Sequence, residues 1–207
     1  MTIKLTRREW IAGSTAASSL LLSGAAASAQ TFLTPNVNPT AENPIRAHFN
    51  ENVYGHSLKA RKAMEDALDD SHKYAFGVFF ELMQLMAKLE DIPREYVTLG
   101  AGSTEFLEKA AVFNRIEGGA IIAPDPTYGD IIRFAGSLGS KLIRVPVAED
   151  MSIDLKDIRA AVTDEVKLIY LCNPNNPIPT VIEKNALKEF ITEMSDRGIT
   201  VLIDEAY

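Results

Sequence analysis

The chain has 207 residues, a formal net charge of −7 and 46% hydrophobic residues, a composition typical of a globular protein with one sizeable core. The acidic balance and the scattered basic residues argue against a nucleic-acid partner, which needs a basic face. The single cysteine, Cys172, excludes an internal disulfide. No metal site is expected, because the three histidines lack metal-ligand spacing; they are His48, His56 and His72.

The first 29 residues are predicted to be an export signal. Arg7 and Arg8 precede an uncharged stretch, Ile11–Ala29, which is rich in Ala, Ser and Leu and ends in small residues before Gln30. Paired arginines in this position are typical of twin-arginine signals, and the small residues favour cleavage after Ala29. We therefore expect a periplasmic or secreted protein without stable membrane insertion after cleavage. An uncleaved anchor is the alternative.

Residues 30–90 are predicted to form an extended, proline-rich arm followed by the helical segment of a small domain. Helical periodicity runs through Ser57–Ser71 and again through Phe79–Leu89. The second segment carries a methionine-rich apolar stripe. Such a stripe usually packs in a core, and we expect that here.

Residues 91–207 are predicted to form a large α/β domain. Short apolar runs alternate with helical stretches, which favours a mostly parallel sheet in a three-layer α/β/α arrangement. The predicted strands are Tyr96–Leu99, Ala120–Ala123, Lys141–Val145, Lys167–Leu171 and Thr200–Ile203. The predicted helices are Thr104–Asn114, Tyr128–Leu138, Leu155–Val162 and Lys184–Arg197.

The loop after the first predicted strand suits an anion. Glycines at Gly100 and Gly102 let the backbone approach a ligand, and Ser103 or Thr104 can cap the helix that follows. The exposed amides and the helix dipole would favour a phosphate. A dinucleotide fingerprint fails, because Glu105 stands where the third glycine would be.

Three further loops follow predicted strands, so all four can meet at the carboxyl edge of the sheet. Tyr128 offers an aromatic face. The asparagine-rich turn at residues 172–177 offers amide donors. Asp204 at a strand end is costly to bury unless it meets a cation, and Tyr207 adds a phenol. This set suits a phosphorylated, cationic, planar heteroaromatic ligand with an anionic oxygen.

Five motifs in order carry a family resemblance. They are Asn-Glu-Asn-x-Tyr-Gly at 50–55, Gly-Ser-Thr-Glu at 102–105, Asp-Pro-Thr-Tyr-Gly at 125–129, Cys-Asn-Pro-Asn-Asn-Pro at 172–177 and Asp-Glu-Ala-Tyr at 204–207. From about Ile45 onward the chain resembles the fold-type-I, pyridoxal-phosphate-dependent aminotransferases of class I and II. Within them it is most similar to the histidinol-phosphate aminotransferase branch.

The resemblance implies a role for each matching residue. Ser103 and Thr104 would hold the cofactor phosphate, and Tyr128 would stack on the pyridine ring. Asn176 and Tyr207 would donate to the phenolic oxygen of the ring. Asp204 would pair with the ring nitrogen and keep it protonated. The residues expected to contact pyridoxal 5'-phosphate are Gly102, Ser103, Thr104, Tyr128, Asn176, Asp204 and Tyr207.

The resemblance also implies a reaction and partners. The family transfers an amino group between a small-molecule amino donor and a keto acceptor, and its members are homodimers with shared sites. Tyr54, with Asn52 beside it, would then contact substrate or the site of the neighbouring subunit.

Two departures from the family pattern stand beside these roles. Ile178 and Pro179 replace the usual Thr-Gly after the asparagine turn, which removes a backbone donor and can move the Asn176 loop. Val53 replaces a proline. The lysine that bonds covalently to the cofactor is expected beyond Tyr207, and Lys184, which begins a helix, is not assigned this role. Two alternatives stay open: a non-catalytic remnant, or a decarboxylase or lyase on the same fold.

Overall fold

The computed structural model describes residues 40–42, 44, 49–52 and 54–207. The predicted signal at residues 1–29 and the position of Val53 lie outside these ranges. The chain divides into two compact units, Met1–Phe76 and Gly77–Tyr207. In the described ranges, no helix is both long enough and apolar enough to cross a bilayer.

In the first unit the structure describes a short helical stretch. Helix α1, Leu58–Asp66, begins where the Ser57 side chain accepts a hydrogen bond from the amide of Ala60, which satisfies one of the unpaired first-turn amides. A 3₁₀ turn, Leu68–Asp70, follows. The break between them divides the segment that the sequence predicts as one helix.

The second unit is built on a parallel sheet. Its helices are α2 (Phe76–Glu90, beginning at the unit boundary), α3 (Ser103–Glu117), α4 (Asp130–Ser137), α5 (Leu155–Ala160) and α6 (Lys184–Asp196). Its strands are β1 (Ala120–Asp125), β2 (Leu142–Pro146), β3 (Val166–Cys172) and β4 (Thr200–Asp204). The strand order is β2-β1-β3-β4, and every neighbouring pair is parallel.

Helices cover both faces of this sheet, because successive strand residues point to opposite sides. One face packs against α3 and α4 through a buried cluster that includes Ile121, Leu168, Tyr170, Cys172, Leu107, Ala111, Ile131 and Ala135. The other face packs against α5 and α6 through Ile122, Ile169, Leu171, Ile158, Phe190 and Met194. The predicted three-layer α/β/α architecture is confirmed.

The strand predicted at Tyr96–Leu99 is wrong. Arg94–Tyr96 is a 3₁₀ turn, and Val97–Leu99 is irregular. Val97 and Leu99 are half-buried while Thr98 is exposed, which explains the alternating apolar pattern. A strand also needs a ladder partner, and in the described part of the chain neither edge strand, β2 or β4, pairs with this segment.

The expectation that the methionine-rich stripe of α2 packs in a core is also wrong in the described residues. Only Ala87 of this helix is buried. Its large apolar side chains, such as Phe80, Leu85 and Leu89, are exposed. Neither of the two clusters that cover the sheet faces contains a described residue of α2.

Candidate functional site

Three loops lie together at the carboxyl edge of the sheet. They follow β1, β3 and β4, and parallel strands bring them to one edge. The chain leaves β1 toward β2 on one side, and β3 then pairs with β1 on the other side. Such a reversal of strand order marks the place where ligands bind in open α/β sheets, outside the carboxyl ends of the strands.

Asn175 fastens the first two of these loops to each other. Its Oδ1 accepts a hydrogen bond of 2.8 Å from the hydroxyl of Thr127, and its Nδ2 donates to the carbonyl of Pro126 at 3.1 Å. Both side chains are buried, so each satisfies a polar group of the other. Sequence analysis missed Asn175, because nothing in the run of asparagines indicates which of them is buried.

The rest of the asparagine-rich loop is held by its own backbone and by Asn173. The side-chain Oδ1 of Asn173 accepts a hydrogen bond from the backbone N–H of Ile182 at 2.8 Å. The backbone N–H of Asn173 donates to the backbone carbonyl of Asp204 at 2.9 Å. The backbone N–H of Asn175 donates to the backbone carbonyl of Thr180 at 2.9 Å. This hydrogen bond closes the loop that contains Ile178 and Pro179.

Asn176 extends across this loop to the end of β4. Its Nδ2 donates to the hydroxyl oxygen of Tyr207 at 3.0 Å. The structure therefore brings together the two residues that the sequence predicts as donors to one ligand oxygen. It does so with Ile178 and Pro179 in place of the usual Thr-Gly pair.

The N-terminus of α3 is uncapped by any side chain. Gly102 is the residue before the helix and has φ 78°, a left-handed conformation that favours glycine. The expectation that Ser103 or Thr104 caps the helix is wrong, since Ser103 is already its first helical residue. First-turn amides have no partner within a helix, so this end of α3 can bind an anion. Glu105 accepts from the amide of Ala101 at 2.6 Å, outside the first turn.

Asp130 connects this helix end to Tyr128. Its Oδ2 accepts from the hydroxyl of Tyr128 at 2.5 Å and from the hydroxyl of Thr104 at 3.2 Å, and Arg133 pairs with Oδ1. The hydrogen bond to Asp130, with burial, raises the pKa of Tyr128, so the phenol stays protonated. Asp130 was not predicted as a site residue from the sequence. Its position two residues after Tyr128, in the first turn of α4, indicates that the two side chains can meet.

Asp204 is a buried carboxylate, with 5% of its surface exposed. Its Oδ2 accepts from the hydroxyl of Tyr170 at 3.2 Å, and its Oδ1 accepts from the amide of Ala206 at 3.2 Å. No lysine, arginine or histidine in the described ranges forms an ion pair with it. Burial of a carboxylate without a positive partner is costly, so this group suits a cationic ligand.

The sequence-predicted site residues are therefore partly assembled. Thr104 and Tyr128 share Asp130, and Asn176 meets Tyr207, whereas the Asp204 side chain is hydrogen-bonded to Tyr170 and to the amide of Ala206. Their contacts with a cofactor stay predictions. So do the roles of Asn52 and Tyr54, which lie in the first unit. There the Asn52 side chain accepts from the amide of Tyr54 at 3.0 Å and donates to the carbonyl of Gly55 at 3.1 Å.

Comparison with known proteins gives a consistent result. Residues 47–207 match the family described as "Aminotransferase class I and II". The chain is 31% identical over 168 residues to the aromatic amino acid aminotransferase of Mycolicibacterium vanbaalenii, which covers 81% of this chain and 47% of that protein. It is 34% identical over 163 residues to the histidinol-phosphate aminotransferase of Methylobacillus flagellatus, which covers 79% of this chain and 44% of that one.

A solved structure agrees with these relatives. The histidinol-phosphate aminotransferase of Sinorhizobium meliloti in complex with pyridoxal-5'-phosphate matches with a TM-score of 0.69 and 26% identity, over 77% of this chain and 43% of that one. The chain spans less than half the length of each of these three proteins.

Proposed function

Because the chain belongs to the class I and II aminotransferase family, we propose that its sheet-edge site binds pyridoxal 5'-phosphate. The observation that carries this proposal is the buried carboxylate of Asp204, which lacks a cationic partner in the described residues. A protonated pyridine nitrogen would supply the positive charge that this buried carboxylate lacks among the described residues. The complex of the Sinorhizobium meliloti relative with this cofactor supports the assignment.

The other residues at the edge fit the rest of the cofactor. The uncapped first turn of α3, with Ser103 and Thr104, would hold the phosphate through backbone amides and the Ser103 hydroxyl. The ring of Tyr128 would cover one face of the pyridine. Asn176 and Tyr207 already share one hydrogen bond and would both donate to the ring oxygen.

The bound cofactor supplies an electron sink for the amino acid substrate, and this chain sets the strength of that sink. Asp204 would hold a proton on the ring nitrogen by pairing with it in a site of low dielectric, where the pairing is strongest. Asn176 and Tyr207 would stabilise negative charge on the ring oxygen. Tyr128 would exclude water from one face of the ring and keep it in place.

We propose amino transfer between an amino acid and a keto acid as the activity of the whole protein. The relatives named for aromatic amino acids and for histidinol phosphate support this reaction class and leave the substrate open. In the described range, no lysine forms a hydrogen bond or ion pair with Tyr128, Asn176 or Asp204.

A nitrogen-transfer assay tests the reaction. The whole protein is given a ¹⁵N-labelled amino acid and an unlabelled keto acid, and the products are analysed by mass spectrometry. Amino transfer predicts ¹⁵N in the aminated acceptor and a keto acid from the donor. Release of carbon dioxide without transfer to the acceptor would instead identify a decarboxylase, and would overturn the proposal.

We propose further that the whole protein is a homodimer in which Tyr54 contributes to the site of the neighbouring subunit. Its position beside Asn52 in the motif at residues 50–55 supports this, and the family resemblance of the chain implies it. The test mixes two inactive variants, Tyr54→Phe and Asp204→Asn. Recovery of activity on mixing is expected if one subunit supplies the tyrosine and the other the carboxylate. No recovery, with dimers present, would contradict shared sites.

Export by the twin-arginine route is also a proposal. It rests on Arg7, Arg8 and the uncharged segment that ends at Ala29. Replacing both arginines by lysine should leave the protein in the cytoplasm with its N-terminal segment uncleaved, as measured by cell fractionation and intact mass. Unchanged export of this variant would contradict the twin-arginine assignment.

A further inference from the structure

Tyr170 lies directly beneath the proposed cofactor site. Parallel pairing places Cys172 opposite Asp204 and Tyr170 opposite Leu202 in neighbouring strands. Because side chains alternate along a strand, Tyr170, Cys172 and Asp204 share one face of the sheet, the face that packs against α3 and α4. Tyr170 is completely buried there.

A buried phenol must find a hydrogen-bond partner. The Tyr170 hydroxyl donates to the carboxylate of Asp204, and it also interacts with the neighbouring Cys172 thiol. The Tyr170 hydroxyl donates to Oδ2 at 3.2 Å, while the amide of Ala206 donates to Oδ1 at 3.2 Å. One donor on each oxygen fixes the plane of the carboxylate. Each oxygen has a second lone pair, so the group can still accept a hydrogen bond from a ligand.

We propose that Tyr170 is a positioning residue for the cofactor, acting by holding the Asp204 carboxylate in the orientation that meets the pyridine nitrogen. This inference rests on the proposed cofactor site. It assigns Tyr170 no contact with the cofactor itself, since its ring is packed in the core between sheet and helices.

The chemistry of the cluster keeps Tyr170 in the donor form. Burial, and after it the neighbouring Cys172 and Asp204, raise the pKa of the Tyr170 phenol far above its usual range. Burial first, and then Asp204, also raises the pKa of the Cys172 thiol, whose Sγ lies 3.2 Å from the carbonyl of Pro174. Tyr170 and Cys172 are therefore neutral at physiological pH, and neither competes with Asp204 for a cationic ligand.

A double-mutant cycle tests the proposal on the full chain. The probe is 4-deoxypyridoxine 5'-phosphate, which has the ring nitrogen, ring oxygen and phosphate but no aldehyde that could react with lysines. Tyr170→Phe should weaken binding roughly fivefold, which is the size of one ordinary hydrogen bond. In the Asp204→Asn background the same change should weaken binding less than about twofold, because the carboxylate that Tyr170 positions is gone. Equal losses in both backgrounds would show that Tyr170 acts through packing, and would overturn the inference.

A second measurement needs no ligand. Isotope-edited infrared difference spectra of the chain with ¹³C-labelled aspartate compare wild type with Tyr170→Phe. We expect Tyr170→Phe to shift a carboxylate stretching band when Asp204 is present, and to cause no such shift when both chains carry Asp204→Asn. A difference spectrum without a carboxylate band in the presence of Asp204 would overturn the inference. Tyr96→Phe is the matched control, because this tyrosine is exposed and should change neither binding nor spectrum. If the chain does not bind the probe but the infrared band shifts, the proposed cofactor site fails while the Tyr170–Asp204 interaction stands.

Discussion

Asn176 donates its side-chain amide to the hydroxyl oxygen of Tyr207 at 3.0 Å, across a separation of 31 residues. The two belong to different loops, one after β3 and one after β4, which are neighbouring strands. A tyrosine that accepts from an asparagine at its oxygen also carries a hydroxyl proton, and the asparagine side chain has a second N–H. This arrangement suits one shared ligand oxygen.

The first prediction concerns this pair. Asn176→Ala and Tyr207→Phe should each weaken binding of 4-deoxypyridoxine 5'-phosphate roughly threefold to tenfold, since each removes a donor to the ring oxygen. The double variant should lose less than the sum in free energy, because the two residues act together. An analogue that lacks the ring hydroxyl is the control and should be insensitive to both changes, because it has no ring oxygen to accept a hydrogen bond. Strictly additive losses would contradict a shared acceptor.

The second prediction concerns the hydrogen bond between Thr127 and Asn175. Thr127→Val removes the hydroxyl and leaves the buried Oδ1 of Asn175 without its donor, so the free energy of unfolding should fall by about 1–3 kcal/mol. Urea denaturation measures the change. Thr192→Val, on the exposed side of α6, is the matched control and should change stability much less. Equal effects of the two substitutions would contradict the structural role of Thr127.

The third prediction concerns Asp130 and the titration of Tyr128. The hydrogen bond to Asp130 is the main cause of the raised pKa of Tyr128. A neutral acceptor in Asp130→Asn should lower that pKa, so the Tyr128 phenol should ionise at a lower pH than in wild type. Ultraviolet titration of tyrosinate measures this, and subtraction of the Tyr128→Phe curve isolates the residue. Coincident wild-type and Asp130→Asn curves would contradict the interaction.

The fourth prediction concerns the start of α6. Glu183 accepts a hydrogen bond of 2.8 Å from the amide of Ala186, and hydrogen bonds to the amides of Asn185 and Ala186 lower its pKa below the ordinary value of 4.5. A carboxyl group whose pKa is lowered in the folded chain stabilises the folded state above pH 4.5, the ordinary pKa of glutamate. This contribution is lost as the pH falls through the pKa of the carboxyl group in the folded chain. Glu183→Ala should therefore be less stable than wild type at neutral pH, and the difference should narrow below pH 4.5.

Glu183→Gln separates charge from hydrogen bonding in this experiment. The amide keeps an acceptor oxygen but does not titrate, so the difference between this variant and Glu183→Ala should stay constant through the same pH window. Urea midpoints measured across the window supply both comparisons. A difference between wild type and Glu183→Ala that is constant with pH would contradict the electrostatic part of the cap.

Much of the fold could be predicted from the sequence because local signals and tertiary structure agree there. Helix α6 and strand β3 are predicted within one residue of their observed ends, since their apolar periodicity matches the face they bury. The segment Tyr96–Leu99 fails, because periodicity records alternation of exposure but not whether a ladder partner exists. The apolar stripe of α2 fails for a related reason: the sequence shows that a helix has an apolar face but not what covers it.

The candidate site divides in the same way. The contacts of Asp204 and Tyr128 with a ligand stay predictions, but their placement at the carboxyl edge of the sheet was predictable, because each comes at or just after the end of a strand. Residues that act on them were not. Asn175, Asp130 and Tyr170 look like an ordinary loop amide, a helix-start acid and a core aromatic, and only the fold brings each to its partner.

The most direct test of the central claim is a titration of the chain with 4-deoxypyridoxine 5'-phosphate, comparing wild type with Asp204→Asn and using inorganic phosphate as the control ligand. If the carboxylate pairs with the ring nitrogen, the substitution should weaken binding of the pyridine about tenfold, which corresponds to about 1.4 kcal/mol, and should leave phosphate binding unchanged. Equal affinity of the two chains for the pyridine would contradict the claim that this sheet edge is a pyridoxal-phosphate site.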